Sequence, residues 1–156
     1  MREYIFRGKK LDEGDWVHGN LINCGSGGVF IFPRNGFFAC ETNKTDGSRA
    51  LELTLIEVDP NTIGQYTGLE DKNGKEIYEG DIVRTADGNV VATIKIGECY
   101  PEPVKKFCEF HGIKNHKVYC LHAYDKVGEY LIEDNKSLEI IGNIYDNPDL
   151  REEKND

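Results

Sequence analysis

The apolar residues of this chain recur with a period of two, and turn residues interrupt them about every eight to twelve positions. No other feature constrains the fold as strongly. A period of two sends alternate side chains to opposite faces of a strand, whereas a helix needs a period near 3.6. Leu51, Leu53 and Leu55 alternate with Glu52 and Thr54, which predicts a strand with one buried face; Val90, Ala92, Ile94 and Ile96 share a face in the same way. The cadence predicts strands over 4–7, 16–22, 29–32, 37–40, 51–55, 63–69, 76–78, 82–85, 90–96, 117–124, 129–132 and 138–145.

The turn chemistry sharpens this reading. Asn35-Gly36 and Asn73-Gly74 both suit a two-residue hairpin, because asparagine tolerates positive φ and glycine adopts it freely. The first predicts a hairpin from 29–32 into 37–40; the second, a type I′ turn between 63–69 and 75–78. Pro33 ends its strand because it cannot donate to a ladder. Residues 43–48 read as a mobile polar loop, 104–110 as a short helix or a loop, and Gly142 as a kink in the last strand. Asn147 followed by Pro148 reads as a short C-terminal helix start.

The expected class is mainly β, in two small subdomains: 1–58, β-rich, and 59–150, barrel-like, divided at the Val58-Asp59-Pro60-Asn61 turn, with 151–156 a frayed charged tail. Strand spacing in the second half fits an SH3-like barrel, and equally a curled open sheet.

Composition excludes several functions. The longest apolar runs fall far short of the roughly 20 residues of a membrane span, and the first residues lack the apolar core of a signal peptide. The expected location is therefore the cytoplasm. The 5 cysteines, Cys24, Cys40, Cys99, Cys108 and Cys120, form no C-x-x-C pair and read as free thiols in a reducing compartment. With 28 acidic against 19 basic residues the net charge is −9, which disfavours nucleic acid as a partner, since phosphate neutralisation drives that affinity. Arg7-Gly8-Lys9-Lys10 and Lys105-Lys106 are the densest basic patches.

The one constellation with metal-ligand residue types is Cys108, His111, His116, Cys120 and His122. Zinc needs about four such ligands converging in a tetrahedron, and no knuckle here sets two thiolates on one turn. No metal, cofactor or catalytic residue is expected from it. Gly25-Ser26-Gly27-Gly28 lacks the lysine of a phosphate loop. The 8 Tyr, 7 Phe and single Trp16 suit a core first and a base-stacking surface second.

Three stretches carry a family resemblance. They are the opening 1–9 with 16–21 (Trp-Val-His-Gly-Asn-Leu), the central 58–69 with 71–83 (Asp-Lys-Asn-Gly-Lys-Glu-Ile-Tyr-Glu-Gly-Asp-Ile-Val), and the closing 138–148. Together they resemble the YopX-like family of phage and prophage proteins. The resemblance implies a phage or prophage gene expressed in the cytoplasm of a Gram-positive host, and implies no activity or site residue. The leading expectation is an accessory protein that binds a host or phage protein or a second copy of itself. A nucleic-acid-associated module and an uncharacterised enzyme are the alternatives.

Overall fold

The computed structural model describes residues 4–42, 49–85, 88, 91–98, 119–124, 129–131 and 137–151. The expected loop at 43–48, the helix-or-loop at 104–110, and Cys99, Cys108, His111 and His116 lie outside the described residues. The chain is mainly β and divides into two units, Met1–Tyr66 and Thr67–Asp156.

In the first unit, β1 (Phe6–Lys9), β2 (Trp16–Asn23), β3 (Val29–Pro33) and β6 (Ile56–Glu57) form an antiparallel sheet in the order β6-β3-β2-β1. The opening residues of β7 (Gly64–Glu70) add to β1 through Phe6 opposite Gln65 and Arg7 opposite Gly64. The period of two puts Val17, Leu21, Val29 and Ile31 on one face, where they pack with Val58, Ile56 and Ile63. Ile31 and Val58 are wholly buried, each contributing about 1.5–3 kcal/mol of transfer free energy.

Among the described residues, β4 (Phe38–Thr42) and β5 (Arg49–Leu53) pair only with each other, as a two-stranded ribbon. Asn35-Gly36 therefore does not make a hairpin between β3 and β4. The Gly36 N–H donates to the Pro33 carbonyl at 2.8 Å, a turn that redirects the chain. The reason lies in pairing: β2 and β6 already occupy both edges of β3. The expected buried face of 51–55 is also corrected, since Leu53 and Leu55 are exposed at 39% and 38%.

The second unit starts with the end of β7, which is followed by β8 (Glu76–Tyr78) as its neighbour. A five-stranded antiparallel sheet follows, in the order β12-β11-β10-β9-β13, from β9 (Asp81–Thr85), β10 (Val91–Glu98), β11 (Tyr119–Tyr124), β12 (Glu129–Leu131) and β13 (Leu138–Asn143). Ile77, Val83, Ile94 and Leu138 form its core, with Leu69 and Ile140 packed against them. β13 carries a β-bulge between Ile140 and Gly142, where the expected kink lies. A side chain on Gly142 would meet the Asn147 Oδ1 at 2.5 Å and the Leu150 Cδ1 at 2.8 Å, so the bulge and the short 3-10 helix Pro148–Arg151 require each other.

Candidate functional site

The polar residues of the central signature are the natural place to look for chemistry, and several are committed to the backbone. Asp71 is buried at 6% exposure at the start of the β7–β8 loop. Its Oδ1 accepts the N–H of Asn73 at 2.8 Å and of Lys75 at 3.0 Å, and its Oδ2 accepts the Ile140 N–H on β13 at 3.1 Å. Burial pushes its carboxyl pKa up, but those three N–H groups and the Asn73 amide outweigh it and hold the group below its ordinary value of 3.8.

The same loop corrects the expected turn. The Asp71 N–H donates to the Lys75 carbonyl at 2.8 Å and the Gly74 N–H to the Asp71 carbonyl at 2.9 Å. That makes a three-residue connection over Lys72, Asn73 and Gly74, with Gly74 at φ 78°. A β-turn followed by a left-handed glycine is the usual way to close three residues, in place of the two-residue type I′ form.

Other signature groups do similar work. The Asp81 Oδ2 accepts the Tyr78 N–H at 2.8 Å, and the Glu79 Oε1 accepts the Ile96 N–H at 3.0 Å. In the first unit Asp59 caps the 3-10 helix Pro60–Thr62 by accepting from the Asn61 N–H, and the Thr62 hydroxyl oxygen accepts the Lys9 N–H at 2.9 Å. These carboxylates and hydroxyls organise turns.

Among the described residues no group of three or more His, Cys, Asp or Glu could hold a metal ion. Of the cysteine–histidine constellation only two members have a described position. Cys120 and His122 stand two residues apart on β11, opposite Gly97 and Lys95 of β10. Cys24 is an exposed free thiol.

Two surfaces of the first unit are left unexplained by turn architecture. One is the sheet face opposite the core, which the register builds in rows. Lys9 stands opposite Trp16, Arg7 opposite His18, and Asn20 opposite Phe32. The Arg34 N–H donates to the His18 carbonyl at 3.1 Å, so Arg7, His18 and Arg34 form a basic row across three adjoining segments. The Arg7 guanidinium lies 4.7 Å from the Trp16 ring centre and the Lys9 Nζ 5.6 Å from it, so one indole carries two cations. Arg7 is buried at 7% exposure, Lys9, Trp16, His18 and Phe32 are half-buried, and Asn20 and Arg34 are exposed.

The second surface is the base of the β4–β5 ribbon. The Thr54 N–H donates to the Phe37 carbonyl at 3.0 Å, placing Phe37 opposite Thr54 and within one rung of Leu53 and Leu55. Phe37 is 59% exposed. Sequence reasoning found the strands of both surfaces but not their register. Only the register reveals that residues 7, 18 and 34 are neighbours.

A family model described as YopX protein matches residues 6–152. The crystal structure of protein EF1440 from Enterococcus faecalis is similar over 96% of this chain and 99% of its own, at 20% identity and a TM-score of 0.46. No curated protein matches the chain.

Proposed function

The chain belongs to the YopX protein family, and from that premise we propose that it is a phage or prophage accessory protein of the host cytoplasm that acts by binding a protein partner or a second copy of itself. The observation that carries this reading is the exposure of Leu53 and Leu55 at the base of the β4–β5 ribbon, with Phe37 exposed on the ribbon's other face, opposite Thr54. Single exposed apolar residues are ordinary. Three large ones at the base of a two-stranded ribbon, a kind that is marginal alone, support a binding edge. The commitment of Asp59, Asp71 and Asp81 to backbone N–H groups supports binding over catalysis in the same way.

The test uses the whole chain and a Leu53→Asp/Leu55→Asp double variant. Light scattering reads self-association, and affinity capture from host lysate reads a partner. The wild type should form a defined oligomer or retain a specific protein. The double variant should lose that by at least about tenfold, or about 1.4 kcal/mol, with an unchanged melting temperature because both residues are exposed. A strictly monomeric mass together with capture of background alone overturns the reading.

A further inference from the structure

We propose that Asn35 is a site of spontaneous deamidation in the native protein, and that the matching asparagine of the second unit, Asn73, is held against the same reaction by Asp71. The chain has two Asn-Gly pairs, Asn35-Gly36 and Asn73-Gly74. In such a pair the glycine backbone nitrogen, with no side chain beside it, can attack the asparagine Cγ. The N–Cγ bond forms and the Cγ–Nδ2 bond breaks. The backbone amide proton passes through water to the departing nitrogen, and ammonia leaves behind a five-membered succinimide. Water then opens either ring carbonyl, so the residue ends as aspartate or isoaspartate.

The two pairs stand in the same kind of backbone turn. The Gly36 N–H donates to the Pro33 carbonyl at 2.8 Å and the Gly74 N–H to the Asp71 carbonyl at 2.9 Å, so each attacking nitrogen carries the same restraint. Both asparagines are exposed. What differs is the side chain that opens the turn. The Asp71 Oδ1 accepts the Asn73 N–H at 2.8 Å and the Lys75 N–H at 3.0 Å. Its Oδ2 accepts the Ile140 N–H at 3.1 Å and lies 3.5 Å from the Asn73 Nδ2. Turning the Asn73 Cγ onto the Gly74 nitrogen must loosen this clasp. Pro33 takes the place of Asp71 in the other turn, and its side chain has no acceptor to offer Asn35. The Arg34 N–H is held by the His18 carbonyl at 3.1 Å, which anchors the turn ahead of Asn35. A Cβ at Gly36 would meet the Pro33 carbonyl oxygen at 2.8 Å, so the turn itself demands the glycine that leaves its nitrogen open to reaction.

Asn35 lies just before Phe37, whose carbonyl accepts the Thr54 N–H, so the product sets a carboxylate at the base of the β4–β5 ribbon. An isoaspartate also lengthens the backbone there. The inference stands whether or not the ribbon has a partner. The test incubates the full chain in mildly alkaline buffer, native and in guanidinium chloride, and follows both Asn-Gly peptides by mass spectrometry after proteolysis. In denaturant the two sites should react at similar rates. In the native protein Asn35 should react at least about tenfold faster than Asn73, the factor that one hydrogen bond to a charged group supplies when it must break on the way to the ring. Isoaspartate should accompany aspartate at position 35, as a succinimide requires. Asp71→Ala, checked by circular dichroism for retained fold, should raise Asn73 to the rate of Asn35 and leave Asn35 unchanged. Equal native rates at the two sites overturn the proposal, as does an Asn35 that stays intact in the native chain while the denatured chain loses it. A folded Asp71→Ala in which Asn73 stays slow overturns the clasp; where that variant does not fold, the native-to-denatured ratio of rates at each site decides.

Discussion

Replacing Asp71 with alanine removes one carboxylate and strands donors on two elements at once. The Asn73 and Lys75 N–H groups sit at an exposed loop tip, where water can replace the lost oxygen. The Ile140 N–H lies in partly buried backbone of β13, reached across 69 residues of chain, and has less access to solvent. A hydrogen bond to a charged group contributes about 1.5–3 kcal/mol, and an unsatisfied buried donor costs about 1–3 kcal/mol. Weighing the tip lightly and Ile140 fully, the alanine variant should lose about 3 kcal/mol. For a chain of this size that lowers the melting temperature by about 6–12 °C. Asparagine offers a single acceptor oxygen, so it keeps either the tip pair or Ile140 and should fall between wild type and alanine. The sign of the pH dependence follows from the depressed carboxyl pKa. The unfolded state then binds the proton more readily than the native one. Stability from Asp71 is complete above the ordinary 3.8 and drains away as pH falls through the lower native value, so the wild type and the asparagine variant should converge in acid. Thermal denaturation followed by circular dichroism, at neutral pH and in an acid series, is the assay. An alanine variant melting within about 2 °C of wild type refutes the claim that Asp71 clasps the loop to β13.

The neighbouring Lys72–Glu139 pair spans 2.9 Å with both side chains about two-fifths exposed; Lys72→Ala should change stability by less than about 1 kcal/mol, as solvated pairs do, measured by the same melts. Gly74→Val places a β-branched residue at φ 78° with no close steric neighbour, so the cost is conformational. It should be about 1–2 kcal/mol, with partner binding per folded molecule intact in a capture assay. Gly142→Ala drives a methyl toward Asn147 and Leu150 and should cost about 1–3 kcal/mol, read as an earlier urea midpoint.

Much of the fold was legible because it is written locally. Alternation at Val17, Gly19 and Leu21 states which face of β2 is buried, and Asn147-Pro148 states where the last short helix begins. Loop length is less local. Asn73-Gly74 announces a left-handed glycine, yet whether two or three residues close the turn depends on the Asp71 N–H finding the Lys75 carbonyl. Pairing partners are less local still. Asn35-Gly36 has the chemistry of a hairpin and makes none, since the edges of β3 are taken by strands on either side in sequence. The alternation of Leu53 and Leu55 predicts burial that the ribbon does not provide, since they stand at 39% and 38% exposure. The Arg7–His18–Arg34 row belongs to the same class: each residue is visible, but their adjacency exists only in the register.

This bears on why membership of the family says so little about activity. The central signature contains Asp59, Thr62, Asp71, Gly74 and Asp81, and each has a backbone partner or a backbone conformation to account for it. A pattern built from such residues identifies an architecture, because caps and clasps depend on chain geometry and are indifferent to what the finished surface touches. Recognition must then be sought among residues that turn chemistry does not explain. In the first unit these are the exposed apolar residues Phe37, Leu53 and Leu55 at the base of the β4–β5 ribbon. An apolar edge answers to a charge placed at Leu53 and Leu55 and is little affected by salt, whereas binding through charged groups weakens as salt rises. The Leu53→Asp/Leu55→Asp variant crossed with a salt series therefore shows whether any ligand, once found, is held by that edge.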